Sequence, residues 1–599
     1  LLSLWRSVRK HRTFSLINLL GLAGGMGACL LILQYVYFES SFDDFHDNKN
    51  DIYRLAYRNQ ARDVETSLLR PGLADLLQAS VPEVEAATRL WRQEATVVVE
   101  NGGQQESYKE AFVYADEAFF KIFSFPMLHG TAENALADPS SIVITESLAQ
   151  KYFGEASAEL IGKRLRLYHL DETMDFQVSA IARDLPPNSH INQQLFVQID
   201  RILDSERARQ WSMAYWSAFP TYLQLEKNAD LHAVIDKINA EIGSRVEDFK
   251  DSEMVAEALP SIYQDSPLEN TLGSSGQGQY IFALLLIAIF IMAIAWINYV
   301  NLTTAQATER AREVGIRKVA GSSRAYLIRQ FLLEVLAMNI FSAILALTIF
   351  QLALPHLADL LEKELQAVSL LAQPLFWPGL LLTLLVGSLL SGIYPSLVLS
   401  RYQPIQVLKG KFSNSREGIV LRKSLIVLQF AASFALVCGT YVVFEQLNFM
   451  RSQELGADIS QTLVVEGPGV RPENGSDLFE QMRHRLEGFS FVEHTILSGN
   501  VPGTAYNYWT QAAQPEEDLQ QARSFAVMLG DEHYLPGFDI PLLAGRYFNP
   551  KLSHEKQKLI LNETAVKYLG FTNNESAIGQ EIRTGDADPS SKNRPGRRL

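Results

Sequence analysis

The stretch Glu309-Arg-Ala-Arg-Glu-Val-Gly-Ile-Arg-Lys-Val-Ala-Gly321 separates two runs that carry no charge, Tyr280–Leu302 and Val335–Leu354. Each run is long enough to cross about 30 Å of hydrocarbon as a helix. The residues between them hold Arg310, Arg312, Arg317, Lys318, Arg324 and Arg329 against Glu309, Glu313 and Glu334. An excess of Arg and Lys in a short loop marks the cytoplasmic side of a membrane, so this connection is expected there.

Three further runs have the same character: Phe14–Phe38, Leu375–Leu399 and Leu425–Phe444, all free of Asp, Glu, Lys and Arg. A mean hydropathy near zero conceals them, because long polar regions balance the average. Arg6, Arg9, Lys10 and Arg12 precede the first run. That run is longer than the apolar core of a secretion signal, so a retained anchor with a cytoplasmic N-terminus is expected. The region around Trp5 suits a short amphipathic helix on the inner surface. The net charge of −14 does not suggest nucleic-acid binding. The two cysteines, Cys29 and Cys438, each lie within an apolar run and form no metal or disulfide motif.

Alternation of spans places residues 39–279 outside and residues 401–424 inside. The latter loop independently reads as cytoplasmic, with Arg401, Lys409, Lys411, Arg416, Arg422 and Lys423 against Glu417. A short outward connection is expected around Pro355–Gln373. The large outer region reads as α+β: strand-like runs such as Ala95–Val99, Ser141–Thr145 and Thr221–Leu225 alternate with helical stretches and Gly/Pro turns. Asp184-Leu-Pro-Pro-Asn-Ser-His190 is turn-rich, and His190 is read as a turn histidine, since no second histidine or acid stands at a catalytic spacing.

An internal repeat sets the organisation. Ile142-Val-Ile-Thr-Glu-Ser-Leu-Ala-Gln-Lys-Tyr-Phe-Gly154 returns as Leu559-Ile-Leu-Asn-Glu-Thr-Ala-Val-Lys-Tyr-Leu-Gly570. Phe123-Ser-Phe-Pro-Met-Leu-His-Gly130 returns as Phe538-Asp-Ile-Pro-Leu-Leu-Ala-Gly545, and Ile161-Gly162 as Ile578-Gly579. The expected fold class is a multi-pass α-helical membrane protein with large α+β extracytoplasmic domains. It is built on a duplicated unit of one helix, an outer domain and three helices. The units fall at 1–38, 39–279, 280–400, 401–424, 425–444 and 445–599. Only the first repeat is complete, which leads to the expectation of a longer chain with eight spans.

No phosphate-binding P-loop, H-E-x-x-H, C-x-x-C or G-x-S-x-G pattern is present, so nothing argues for catalysis or a bound cofactor. In the quoted stretch, Ala307, Ala311, Val314 and Lys318 share one helical face, and Glu313 and Arg317 form an i, i+4 pair. Gly321-Ser-Ser323 closes the helix. Such a helix, tied to two spans, suits transmission of force from a docked protein. A basic linker resting on anionic membrane lipids suits the same residues.

The string Thr308–Ser323 followed by Gln330-Phe-Leu-Leu-Glu334 resembles the coupling-helix region of MacB/FtsX-like ABC transporter permeases. Gly392-Ile-Tyr-Pro395, Pro404 and Leu408-Lys-Gly410 are also similar to that family, as are the repeated module and Asp184–His190. Phe14-Ser-Leu-Ile-Asn-Leu-Leu-Gly-Leu-Ala23 is similar to duplicated permeases of Bacteroidetes-type bacteria. The resemblance implies a non-catalytic permease of the inner membrane that docks a separate cytoplasmic ABC ATPase dimer, which uses the ATP. It assigns Glu309, Arg312, Glu313, Gly315, Arg317, Lys318 and Gly321 to ATPase coupling. Arg312, Arg317 and Lys318 would face the ATPase, and Gly315 would permit close approach. Gly392 and Pro395 would serve as packing or hinge positions in the fourth span, and Gly21-x-x-x-Gly25 suits close packing of the first. Export of antimicrobials, peptides or lipoproteins, with a periplasmic adaptor or outer-membrane partner, is one expectation. The alternative is an FtsX-like regulator of cell-wall hydrolases or a sensor of peptide stress.

Overall fold

The computed structural model describes residues 12–598 except 60–63, 102, 170–171, 204–217, 246–251, 269–271, 273–275, 277, 306–313, 315, 366–369, 402–415, 454–455, 468–474, 505–507, 518–522, 553–554 and 586–596. Five helices are long and apolar enough to span a membrane. They occupy Arg12–Ser40, Gly278–Ala305, Arg324–Leu361, Phe376–Arg401 and Arg416–Ser452, here spans one to five.

Spans one to four pack together through small residues. A Cβ on Gly25 would lie 2.8 Å from the Ala295 Cβ of span two, and one on Gly27 would lie 3.2 Å from Ile349 of span three. Between apolar helices in lipid, backbone proximity of this kind replaces the hydrophobic drive available in water. Leu22, Ala295, Tyr299 and Val335 form one buried cluster among spans one to three. Met26, Leu30, Ala346 and Phe350 belong to a second, nearer the outer domain. The apolar window of span five, by contrast, has no buried residue. It meets span two, where the Asn301 amide donates to Gln429 Oε1 at 3.3 Å.

Pro355 does not begin the connection after span three. The helix runs through it to Leu361, and Glu362 ends it in a left-handed conformation, φ 51°. A proline two turns from a helix end removes one backbone bond, and the rest of the ladder continues past it.

The outer domain is a sheet of twelve strands. These are β1 (Ile52–Asn59), β2 (Val64–Thr66), β3 (Leu68–Leu69), β4 (Val84–Asn101), β5 (Gln104–Ala115) and β6 (Met127–His129). After them come β7 (Ser141–Thr145), β8 (Arg164–His169), β9 (Glu172–Ala182), β10 (Leu195–Gln198), β11 (Phe219–Leu225) and β12 (Glu253–Ala258). The main path is β12-β1-β11-β4-β5-β10-β7-β9-β6, with β10–β5 and β7–β9 parallel. Strands β7 and β10 are buried at every position, as strands covered on both faces must be. Within β7, Ile142 and Ile144 enter one core, while Val143 enters the core on the opposite face. A third core forms where helices Gly72–Ser80 and Leu231–Arg245 cover the β1–β11 end.

The second polar region repeats this plan in part. Phe119–Ile122 is matched by the short helix Tyr534–Gly537, and Glu146–Phe153 by Glu563–Tyr568. The repeat extends to the backbone: Gly130 and Gly545, Gly154 and Gly570, and Gly162 and Gly579 all have φ between 76° and 90°. Only glycine enters that region without steric cost. The repeat sets Leu559–Leu561 opposite Ile142–Ile144 of β7, where a strand would be expected, but none forms there. In the first region the matching β7 is held between β10 and β9.

Candidate functional site

Two places on the bundle stand out, one at each end of span three. At its N-terminal end lies the basic segment. Of its expected residues, Glu309, Arg312, Glu313 and Gly315 fall outside the described residues, as do Ala307 and Ala311. Val314 and 316–319 are helical. Val314 is buried against Leu327 and Phe331 of span three. Gly321, at φ 95°, turns the chain, and Ser322 N–H donates to Arg317 O at 2.9 Å across it. This left-handed ending satisfies the last carbonyls of the short helix. Ser323 then caps span three by accepting from Tyr326 N–H.

Arg317 does not point away from the bundle as expected of a docking residue. Its guanidinium donates to Gln330 Oε1 at 2.9 Å, and the Gln330 amide donates to Glu334 at 3.1 Å. The basic segment and span three are thus joined by a buried valine and a polar relay. Among the described residues of the segment, Ile316 is 58% and Val319 68% exposed. Lys318 lies between them, partly exposed.

In span four, a Cβ on Gly392 would lie 2.9 Å from Leu332 of span three, so this glycine is a close-packing position. The helix backbone continues through Pro395, whose side-chain surroundings lie outside the described residues. Gly21 and Gly25 both face span two, at Asn298 and Ala295.

The second place joins the outer domain to the bundle. Glu39, at the end of span one, is buried and ion-paired with Lys363, just past span three. The Tyr263 hydroxyl, from the last helical turn of the outer domain, donates to the other Glu39 oxygen at 2.9 Å. Phe42 stacks on the Tyr263 ring at 3.3 Å between centroids. Gly276 must be small here, since a Cβ would come within 2.5 Å of Tyr263.

A few residues further on, Asp43 adopts a left-handed backbone, φ 60°, and is fully buried. Its carboxylate accepts from His190 N–H at 3.1 Å and from the His190 ring Nδ1 at 2.8 Å. Nε2 of His190 meets the Tyr222 hydroxyl at 2.8 Å. Beside Tyr222 lies Arg54, whose guanidinium holds Glu257 at 2.6 Å. Burial pushes the Tyr222 phenol above its usual range. His190 is therefore no loose turn residue. It is a buried link from the chain leaving span one to strands β11, β1 and β12. A strained aspartate is retained because four groups determine its position.

His46 completes this joint. Its Nδ1 accepts from Ser124 N–H at 3.1 Å, among the rings of Phe45, Phe123 and Phe125. Among the described residues its Nε2 has no hydrogen-bond partner, and it lies 4.0 Å from Asp43. Burial pushes this imidazole down to about 4, against the pull of Asp43.

None of Glu39, Asp43, His46, Tyr263 or Lys363 was expected as functional. The residues that meet are separated by up to 324 positions, so no local spacing betrays them. The one available signal was a glutamate directly after an uncharged span.

Residues 15–241 match the MacB-like periplasmic core domain, and residues 285–404 match the FtsX-like permease C-terminal region. The chain belongs to the MacB/FtsX-like ABC transporter permease family, a membrane protein with extracytoplasmic domains. It is 30% identical over 125 residues to the "Probable export ATP-binding/permease protein Pfl01_2215" of Pseudomonas fluorescens (strain Pf0-1), covering 21% of this chain and 19% of that one. It is 31% identical over 130 residues to the uncharacterized ABC transporter permease YvrN of Bacillus subtilis (strain 168), covering 21% and 31%. The matched part is thus less than a third of either relative. The periplasmic region of MacB from Actinobacillus actinomycetemcomitans aligns at 12% identity and TM-score 0.25, over 35% of this chain and 89% of that one. The extracellular domain of the noncanonic ABC-type transporter YknZ from Gram-positive bacteria aligns at 11% and TM-score 0.26, over 34% and 99%.

Proposed function

We propose that this chain is the permease subunit of an ABC transporter of the mechanotransmission type. A separate cytoplasmic ATPase dimer would hydrolyse ATP and move the basic segment, and the spans would carry that displacement to the extracytoplasmic domains. The observation that carries this reading is span three itself. Its 38 residues extend about 57 Å as a helix. One end is fastened to the basic segment through Val314 and Arg317, and beyond the other end Lys363 is fastened to Glu39, which Tyr263 also contacts. A rigid rod held at both ends transmits displacement and needs no channel along its length.

The contact surface for the ATPase is then the exposed pair Ile316 and Val319 with Lys318, while Arg317 positions the segment from behind. The orientation follows the basic loops: N-terminus and residues 309–321 on the cytoplasmic side of the inner membrane. Export of an antimicrobial, peptide or lipoprotein handled outside the membrane fits domains of this size, with ATP consumed by the partner alone.

The test has two parts. Ile316→Asp with Lys318→Glu is expected to abolish co-purification of an ABC ATPase, identified by mass spectrometry, that accompanies the wild-type chain. Spin labels on the β4–β5 hairpin and on the outer end of span four are expected to change separation with ATP and the ATPase present. That change should disappear in Lys363→Ala. An ATPase that still associates with the first variant, or a label distance indifferent to ATP, overturns the proposal.

A further inference from the structure

Between spans three and four, toward the end that carries the basic segment, lies an open groove of about 390 Å³. Leu332, Leu333 and Leu336 form one wall, Leu385 and Leu389 the other, and Arg329 stands at the rim. Ser388 also lines it, but its hydroxyl donates to Leu384 O of its own helix at 2.6 Å. The walls therefore offer hydrocarbon and nothing else.

Arg329 is different. It is exposed, and among the described residues it has no hydrogen-bond or ion-pair partner. Positions 332, 333 and 336 follow it at i+3, i+4 and i+7, so the cation and the leucines share one face of span three. Glu334, the nearby carboxylate on the same helix, accepts from Gln330, which in turn accepts from Arg317. The depth is also informative. Arg329 lies six residues before the uncharged run that opens at Val335, or about 9 Å along the helix. A long cationic side chain at that level extends to the headgroups while its neighbours remain in the acyl region.

We infer that this groove holds an acyl chain of an anionic phospholipid, whose phosphate pairs with Arg329. A protein segment would satisfy the walls, but an uncompensated guanidinium at headgroup depth calls for an anion, and a phospholipid supplies both parts in one molecule. Gly392 fixes the groove's floor, since it brings span four against Leu332. A lipid seated here is part of the packing between spans three and four. The site does not depend on the ATPase, or on which leaflet the basic segment faces.

The experiment uses the full chain in nanodiscs of phosphatidylcholine mixed with phosphatidylglycerol, with a photoreactive group on the acyl chain of one or the other lipid. The phosphatidylglycerol probe is expected to label the groove leucines, with labelling about fivefold lower in Arg329→Gln and retained in Arg329→Lys, the gain expected from one basic residue at a charged surface. Labelling by the phosphatidylcholine probe should fall less in Arg329→Gln, because its choline cation already offsets its phosphate. Leu336→Trp, which fills the groove, should reduce labelling by both probes. Equal labelling by the two lipids in wild type overturns the inference, as does labelling indifferent to Arg329→Gln. Displacement of the probe by inorganic phosphate would mean a free-anion site, and an unlabelled groove would mean that protein covers it; either result also overturns it.

Discussion

Lowering the pH from 7 to 5 should open the joint between span one and the outer domain, and His46 should be the cause. In the folded chain its imidazole is held down to about 4, against an ordinary value of 6.5. The unfolded segment therefore binds a proton that the folded one refuses. Stability is full above about 6.5 and is lost as pH falls toward 4, the direction required when the unfolded state takes up more protons. Two and a half units correspond to about 3 kcal/mol in total, of which about 2 kcal/mol is already lost at pH 5. The geometry gives the reason. Nδ1 accepts from Ser124 N–H, so a second ring proton would face a donor, in a pocket of phenylalanine rings with no water-like partner. Hydrogen exchange read by mass spectrometry over residues 41–47 and 123–126 measures this directly. After correction for intrinsic rates, local protection should fall about 30-fold at pH 5, the exchange equivalent of 2 kcal/mol. His46→Asn keeps an acceptor for Ser124 without a titrating ring, and its corrected protection should be flat across the same range. If wild type and His46→Asn lose protection with the same slope, another group is responsible and the reasoning fails.

Other substitutions test the remaining contacts. Gly25→Val should destabilise the bundle by about 1–3 kcal/mol through overpacking against Ala295, whereas Gly24→Val, with nothing within 4 Å of its Cβ, should leave the melting temperature unchanged. Lys363→Ala strands a buried Glu39 and should cost about 3 kcal/mol, much of it recovered in the double variant with Glu39→Gln, as thermal unfolding in detergent would register. Arg89 is nearly buried and pairs with Asp116, whose carboxyl is raised by its own burial. Arg89→Leu should therefore cost about 3–5 kcal/mol and lower the yield of folded protein, while Arg166→Leu, in an exposed pair with Asp175, should leave both unchanged.

The spans, the repeat and the α+β character of the outer region could be read from the chain because each rests on local physics. A run of twenty uncharged residues has few alternatives to a membrane helix, and glycine recurs where the backbone must turn left-handed, as at Gly154 and Gly570. The closing of the basic helix at Gly321 was legible for the same reason. The direction of Arg317 was not: periodicity places it on a face but cannot say that Gln330 of the next helix will receive it. Nor could spacing reveal that Glu39 meets Lys363 and Tyr263, or that Asp43 meets His190, since those contacts exist only after strands and spans far apart in the chain have been brought together. Even the expected strand at Leu559–Leu561 depends on partners rather than propensity. The sequence by itself determined which segments are long and apolar enough to cross a membrane, where the chain repeats and where the basic helix closes. Only the tertiary structure decided which side chains lock the outer domain to the bundle, because a buried charge finds its partner in space and not along the chain.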